Sequence, residues 1–383
     1  MRKGRFGTGV FATAQINEGT DIISVPRDSQ ITLEHVIKFF TESFTMNPIV
    51  ELDGLDSLSL YVAIATKTGS PFTPYLNALP TTFTTLLENW PIGAVPYLTA
   101  GLRETYYTNV EDRESRWARV QKVYNASNEP SISESEFHSA YWSVFTRMKE
   151  EPCPPEESWP EWFDVAHNNG KCAALAPVFD MMNHHNTDYN CDWDHSNGAV
   201  ITTLSDIKEG EELLINYGHE GNVELLSLYG FAAENNQSPV VFGEGDLVEA
   251  CTLTQGLHQR VCQSRIEYFG AYFDVENVKL EATCETDVGD VKSYFVGDFD
   301  ESDKSELASA QIRWGMFMSQ LIKKRRNELK DLETKLGQDE KMRGTPFADM
   351  LNSVYASENA ILKQCATAFK NHLAADLEVF LTQ

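Results

Sequence analysis

Hydrophobic and polar positions follow two rhythms along this chain, and the rhythm changes more than once. Val10-Phe11-Ala12-Thr13 and Ile22-Ile23-Ser24-Val25 are short β-prone runs. Gly4, Gly7 and Gly9 precede the first, and a Glu18-Gly19 turn separates the two, which predicts strand-turn-strand ended by Pro26. Thr32 is placed to cap a helix through Phe40, with Val36, Ile37, Phe39 and Phe40 as its apolar face. Helical spacing returns around residues 58–66, 112–124 and 135–147, with Pro- and aromatic-rich connections such as Pro71-Phe72-Thr73-Pro74-Tyr75. The stretch Glu151-Pro152-Cys153-Pro154-Pro155-Glu156-Glu157 reads as a loop, being too proline-rich for a helix or a central strand. Residues 173–179, 199–204 and 212–216 then read as short strands.

From about residue 240 the period becomes helical. Leu307, Ala310, Trp314, Phe317 and Leu321 recur at spacings of three and four, as do Leu351, Val354, Ile361, Cys365, Phe369, Leu373, Leu377 and Phe380. The expected class is α+β: a β-rich domain over residues 1–235 with a helical insertion at about 50–165, then a mainly α-helical domain over 240–383.

Composition narrows the function. The 383 residues carry 31 Lys and Arg against 57 Asp and Glu, a net charge of −26. That field repels phosphate backbones, so direct nucleic-acid binding is not expected, and it attracts a basic protein partner. No apolar run is long enough for a bilayer, and no basic segment leads into an apolar stretch at the N-terminus. The expectation is therefore a soluble intracellular protein, cytoplasmic and/or nuclear, without membrane contact. Seven cysteines, none in a C-x-x-C pair, are expected to be reduced and mostly buried, with no metal knuckle. Lys323-Lys324-Arg325-Arg326 is expected to be a solvated helix face rather than an import signal.

Three segments carry candidate chemistry: Asp180-Met181-Met182-Asn183-His184, residues 209–218 ending Asn216-Tyr217-Gly218, and Asn222 through Tyr229-Gly230-Phe231. Singly, each has a bland explanation as a turn, a packed tyrosine or a hairpin. Their joint order resembles the SET-domain family of protein methyltransferases. The similarity is to the branch typified by the plant Rubisco large-subunit lysine methyltransferase, with fungal ribosomal-protein lysine methyltransferases and the animal actin-histidine methyltransferase. Gly7-Thr8-Gly9-Val10-Phe11-Ala12, the insertion marker Phe72-Thr73-Pro74-Tyr75-Leu76 and Thr146-Arg147 extend the likeness. Relatives carry more sequence ahead of Gly7, which implies further upstream residues.

The resemblance implies a pseudoknot in which the two later segments thread past each other beside S-adenosyl-L-methionine. It implies that Gly7, Thr8, Gly9, Thr20, Asp21, Ile22, Arg147, Asn183, His184, Tyr217 and Phe231 hold this cofactor, with Arg147 pairing its carboxylate through a forked guanidinium. Tyr217 and Tyr229 would be the catalytic rings, and Phe179, Asp180, Tyr189 and Tyr229 the substrate side. Lys149 stands where the branch has a channel-lining aromatic or amide residue, and its charge would oppose an incoming ammonium. The helical C-terminal region would be the substrate-binding domain.

The chemistry suits these residue types. Methyl transfer is an in-line displacement that needs alignment rather than a metal. Lysine, with a pKa of about 10.4 in water, must be neutral to attack, and an aromatic slot favours the neutral form by desolvation. The expected activity is protein-lysine N-methylation of a non-histone protein, with ribosomal proteins or translation factors as family-level candidates. Histidine methylation and a SET-fold binding protein without turnover are the alternatives. A metal-dependent hydrolase built on Asp180, His184, His185, Asp188, Asp192, Asp194 and His195 lacks any recognised ligand spacing, so no metal is expected.

Overall fold

The computed structural model describes residues 2–4, 7–43, 52–124, 130–153, 171–194, 199–218, 220–236, 240–255, 259–264, 280–281 and 304–382. They form two compact units. The first comprises Met1–Asn89, Tyr106–His219 and Ser227–Gly230, and the second Trp90–Thr105, Glu220–Leu226 and Phe231–Gln383.

The first unit opens with an antiparallel pair, β1 (Arg2–Gly4) against β2 (Gly7–Gly9). The regular strand therefore lies upstream of the predicted run at residues 10–13. Phe11 instead makes a single bridge to Glu212, because the backbone of 10–12 serves the later segment 210–213. β3 (Asp21–Val25) pairs with β8 (Ala199–Thr203), which pairs with β7 (Cys191–Asp194), all antiparallel. Alternation along β8 buries Ala199, Ile201 and Thr203, so one face of this sheet packs on Ala12, Val25, Ile207 and Leu213.

Helices build the larger core of the same unit. α1 (Leu33–Ser43) has Thr32 ahead of it, whose hydroxyl accepts from the His35 N–H at 3.3 Å. α2 (Gly54–Thr68) is capped by Asp53, which accepts from the Asp56 N–H at 2.7 Å. α3 (Thr73–Leu76) is a single turn with Pro74 early in it, and α4 runs from Ala100 to Val123. α5 (Glu134–Phe145) begins with a capping box between Ser133 and Glu136. Phe40, Leu58, Tyr61, Ile64 and Phe137 are fully buried among these helices.

Two further predictions are corrected at β4 and at the cysteines. The stretch opening at Glu151 is not all loop: β4 (Lys149–Pro152) pairs antiparallel with β5 (Lys171–Ala174), Pro152 ending the ladder where its missing N–H costs least. The cysteines are not all reduced. Cys153 is bonded to Cys172, Cys251 to Cys262, and Cys365 is also in a disulfide, which leaves Cys191 as the free, buried thiol among the described residues. The Cys153–Cys172 bond was invisible in the spacing because hairpin pairing, not sequence proximity, sets its 4.9 Å Cα separation.

The second unit rests on α8 (Lys304–Gln338) against α9 (Pro346–Thr382), with α7 (Glu244–Gln255) packed on α8. Ala310, Trp314, Phe317 and Leu321 on α8, and Leu351, Val354, Ile361 and Phe369 on α9, are buried as the two helices pack together. The basic run on α8 is a solvated face only in part: Lys323 is exposed and Lys324 and Arg326 are half-buried, but Arg325 turns inward. Arg325 is buried, with Asp246 at 3.0 Å, Glu328 at 3.3 Å and Glu358 at 3.6 Å, while Lys324 binds Asp246 at 3.0 Å and Glu249 at 2.5 Å. No helix among the described residues is long and apolar enough to cross a membrane.

Candidate functional site

The site grows from one parallel pairing. β6 (Asn183–His184) lies beside β9 (Leu214–Ile215), matching Asn183 to Leu214 and His184 to Ile215. On its other flank, segment 210–213 bonds to the N-terminal backbone, Ala12 N–H to Glu211 O at 2.9 Å and Leu213 N–H to Val10 O at 2.9 Å. A stretch of six residues is thus held between two segments remote from it in sequence. Asn190 locks this in place, accepting from the Leu214 N–H at 2.9 Å and donating to Glu212 O at 2.9 Å.

That crossing brings β2 against β6. The Asn183 amide donates to Glu212 Oε1 at 2.7 Å and to Thr8 O at 3.4 Å. Gly9 sits against this pair so closely that a Cβ there would lie 2.1 Å from Glu212 Oε1 and 2.7 Å from Asn183 Nδ2. Only glycine allows the strand to approach this far.

Tyr217 follows β9 directly. Its hydroxyl donates to Met182 O at 2.6 Å, and its backbone N–H donates to His184 Nδ1 at 3.1 Å. Because Nδ1 accepts, the imidazole proton resides on Nε2. Burial, with the His185 charge adding to it, lowers the His184 pKa to about 4, so the ring is neutral at pH 7. Burial also raises Tyr217, with Tyr229, Asp180 and Glu212 reinforcing and Arg147 opposing, so it remains a hydrogen-bond donor. The Tyr217 ring packs 5.2 Å from His184 and 4.8 Å from Tyr229, which stands at the end of α6 (Asn222–Tyr229). Gly230, at φ +75°, ends that helix where a Cβ would strike the Leu86 backbone at 2.9 Å.

A second cluster adjoins the first. Arg147 Nη1 donates to Asp180 O at 2.6 Å and contacts Met181 Sδ at 3.6 Å, while its buried Nε has no hydrogen-bond partner. Tyr75, from α3, donates its hydroxyl to Asp180 Oδ2, and the buried Oδ1 of Asp180 has no hydrogen-bond partner. Burial raises the Asp180 carboxyl to about 6, with Arg147 and Tyr75 opposing. Val178, two residues earlier, has φ +74° and ψ −40°, a strained conformation for a β-branched residue that sets the turn into Phe179–Met181.

Other predicted residues fall elsewhere. Gly7 lies in β2. Thr20 and Asp21 are exposed and tied to β8, through Thr20 N–H to Thr203 Oγ1 at 3.0 Å and Thr202 Oγ1 to Asp21 Oδ1 at 2.6 Å, while Ile22 packs on the sheet core. Phe179 is buried with its ring edge-on to Trp193 at 5.8 Å. Tyr189 is half-buried in the connection from β6 to β7, and Phe231 belongs to the second unit. Lys149 is buried and ion-paired with Glu151 at 3.3 Å, so its charge is neutralised within the chain. Sequence reasoning passed over two members of the site. Glu212 looked like the first residue of a short strand, and Tyr75 like an insertion marker; only the crossing and the packing of α3 give them partners. Among the described residues no three His, Cys, Asp or Glu side chains converge as a metal site.

A knotted crossing of short strands, closed by a tyrosine after the last of them, defines the SET class of fold. The SET domain family model matches residues 7–218, and the chain belongs to that family. The family uses S-adenosyl-L-methionine. The donor set here fits such a ligand: a buried guanidinium Nε without a partner suits a carboxylate, and β2 presents close-packed backbone. The chain is similar to the actin-histidine N-methyltransferase of Danio rerio, 26% identical over 243 residues, covering 60% of this chain and 38% of that protein. It is similar to SET domain-containing protein 8 of Schizosaccharomyces pombe, also 26% identical, over 60% of this chain and 52% of that one. The match thus spans about two-fifths to half of these relatives' lengths. Among solved structures, Rubisco LSMT bound to AdoMet shares the fold, with a TM-score of 0.59 at 14% identity over 98% of this chain and 87% of that chain.

Proposed function

We propose that this chain is an S-adenosylmethionine-dependent protein-lysine N-methyltransferase acting on a non-histone protein. The observation that carries the reading is the crossing of β6 and β9, which packs Tyr217 against Tyr229 and directs its hydroxyl at the Met182 carbonyl. The cofactor supplies an electrophilic methyl group on a sulfonium. Asn183, His184 and the backbone of β2 would hold it, and Arg147 would meet its carboxylate. Tyr217 orients the acceptor nitrogen, and carbonyl and hydroxyl oxygens at the ring edges favour a partly positive methyl through weak C–H···O contacts. The paired tyrosines make a narrow aromatic slot that disfavours an ammonium and so favours the attacking neutral amine.

The net charge of −26 supports a basic protein partner, with ribosomal proteins and translation factors as candidates. A cytoplasmic or nuclear place of action is part of the proposal. Alkylating thiols before cell lysis tests it, since finding Cys153 and Cys172 bonded in the cell would move the protein to an oxidising compartment.

Incubation with methyl-labelled S-adenosylmethionine and a total protein extract, then acid hydrolysis and amino-acid analysis, tests the activity. Labelled Nε-methyllysine is expected. The names of the relatives favour one second reading, histidine methylation, and labelled methylhistidine would establish it instead. Cofactor binding without any labelled protein would support a SET-fold binding protein.

A further inference from the structure

Asp180 has an arrangement that an ordinary peptide contact does not need. One carboxyl oxygen is occupied by the Tyr75 hydroxyl, while the other is buried with no hydrogen-bond partner. A buried carboxylate oxygen left bare is costly, and its natural complement is a proton or a cationic N–H donor. Arg147, the cation that acts on this carboxyl, spends Nη1 on the Asp180 backbone carbonyl. The strained backbone at Val178 lies just upstream, as strain often does where a side chain is held for chemistry.

Resting on the methyltransferase reading above, we propose that Asp180 is the proton acceptor for the substrate amine, with Tyr75 as the residue that positions it. The amine arrives as an ammonium and docks on the unpartnered oxygen. The proton passes from nitrogen to Asp180 Oδ1, leaving a neutral amine and a carboxylic acid. The nitrogen lone pair then forms the new N–C bond as the S–C bond breaks, the sulfur taking that bond's electron pair. The product leaves as a methylated ammonium, and Asp180 releases its proton to solvent. Desolvation drives the first step: in a dry pocket the neutral pair is favoured over the ion pair, because two buried charges disappear together. Burial raises the Asp180 carboxyl while lowering an amine in the same pocket, so the gap between them narrows. Arg147 and the Tyr75 hydrogen bond oppose the rise, and Tyr217, itself influenced by Asp180, Tyr229 and Glu212, is a further titratable neighbour among the described residues.

The test is the pH dependence of initial methylation rates between pH 6 and pH 10. Wild type, Asp180→Asn and Tyr75→Phe are compared, with poly-L-lysine and a total protein extract as acceptors. Calorimetric binding of S-adenosylmethionine reports on folding. Wild type is expected to lose activity at the acid end with an apparent pKa near that of the buried carboxyl. Asp180→Asn should fall by about 100-fold or more near pH 7, the scale of general-base catalysis. It should then recover about tenfold per pH unit as the amine loses its proton to solvent, with cofactor affinity within twofold of wild type. Tyr75→Phe should shift the acid limb without abolishing it. An Asn variant with the wild-type profile, or one equally impaired at every pH, would overturn the assignment while leaving the methyltransferase reading intact. A wild type that labels neither acceptor would overturn both.

Discussion

Gly9→Ala is the sharpest perturbation of the crossing, because its consequence follows from distances alone. The new methyl group would stand 2.1 Å from Glu212 Oε1 and 2.7 Å from Asn183 Nδ2, and an ordinary contact is at least 3.4 Å. Both atoms end flexible side chains, so they swing away and the backbone keeps its place. The 2.7 Å hydrogen bond between them is lost or lengthened. A hydrogen bond to a charged group contributes about 1.5–3 kcal/mol. If that bond holds Asn183 ready for cofactor, its loss weakens S-adenosylmethionine by roughly 10- to 150-fold, at 1.4 kcal/mol per tenfold. Titration calorimetry of wild type, Gly9→Ala and Asn183→Ala measures this, with thermal melting to show that each variant is folded. Glu212→Gln keeps an acceptor oxygen and should weaken binding much less. A folded Gly9→Ala protein with wild-type affinity would refute the reasoning, since Asn183 would then have no part in holding cofactor.

Tyr217→Phe should leave cofactor affinity within about twofold and cut turnover by roughly 100- to 1,000-fold, the scale seen when one positioned donor is removed; steady-state assays that find turnover retained would remove Tyr217 from the catalytic role. In the second unit, burial raises Glu358 from 4.5 to about 7, so the folded state binds its proton more tightly than the unfolded chain. That contribution is complete below pH 4.5 and lost as pH rises through about 7; Glu358→Gln should flatten this part of a denaturant-unfolding series, and an unchanged slope counts against it. Cys153→Ser opens a bond joining residues 19 apart and should cost about 2–4 kcal/mol of stability under oxidising conditions and nothing under reducing ones; equal unfolding midpoints under both would contradict the disulfide.

Much of the molecule could be read from order and period. The helical spacing around α2, α5, α8 and α9, and the β-prone runs at β3 and β8, reflect local rules: a buried face repeats every three to four residues in a helix and every second residue in a strand. The family was legible because Gly9, Arg147, Asn183, His184 and Tyr217 stand in the chain in the order that the family resemblance calls for. Those features need only nearest neighbours along the chain, or a motif, to specify them.

Tertiary structure decided the rest, wherever a residue's role depends on what lies opposite rather than alongside. Glu212 became the partner of Asn183 only when segment 210–213 was laid between β6 and the backbone of residues 10–12. Lys149 looked like a cation facing a channel until β4 formed and set Glu151 two residues on, on the same side of the strand, to neutralise it. The cysteines looked reduced because pairing is a matter of Cα separation, which sequence spacing does not encode. Asp180 carried a motif position in the sequence, but its bare oxygen and its bond to Tyr75 exist only because α3, remote in the chain, folds against it. Local periodicity is set by backbone geometry, whereas desolvation and hydrogen-bond partnership are set by packing, and the chemistry of this site depends on the second.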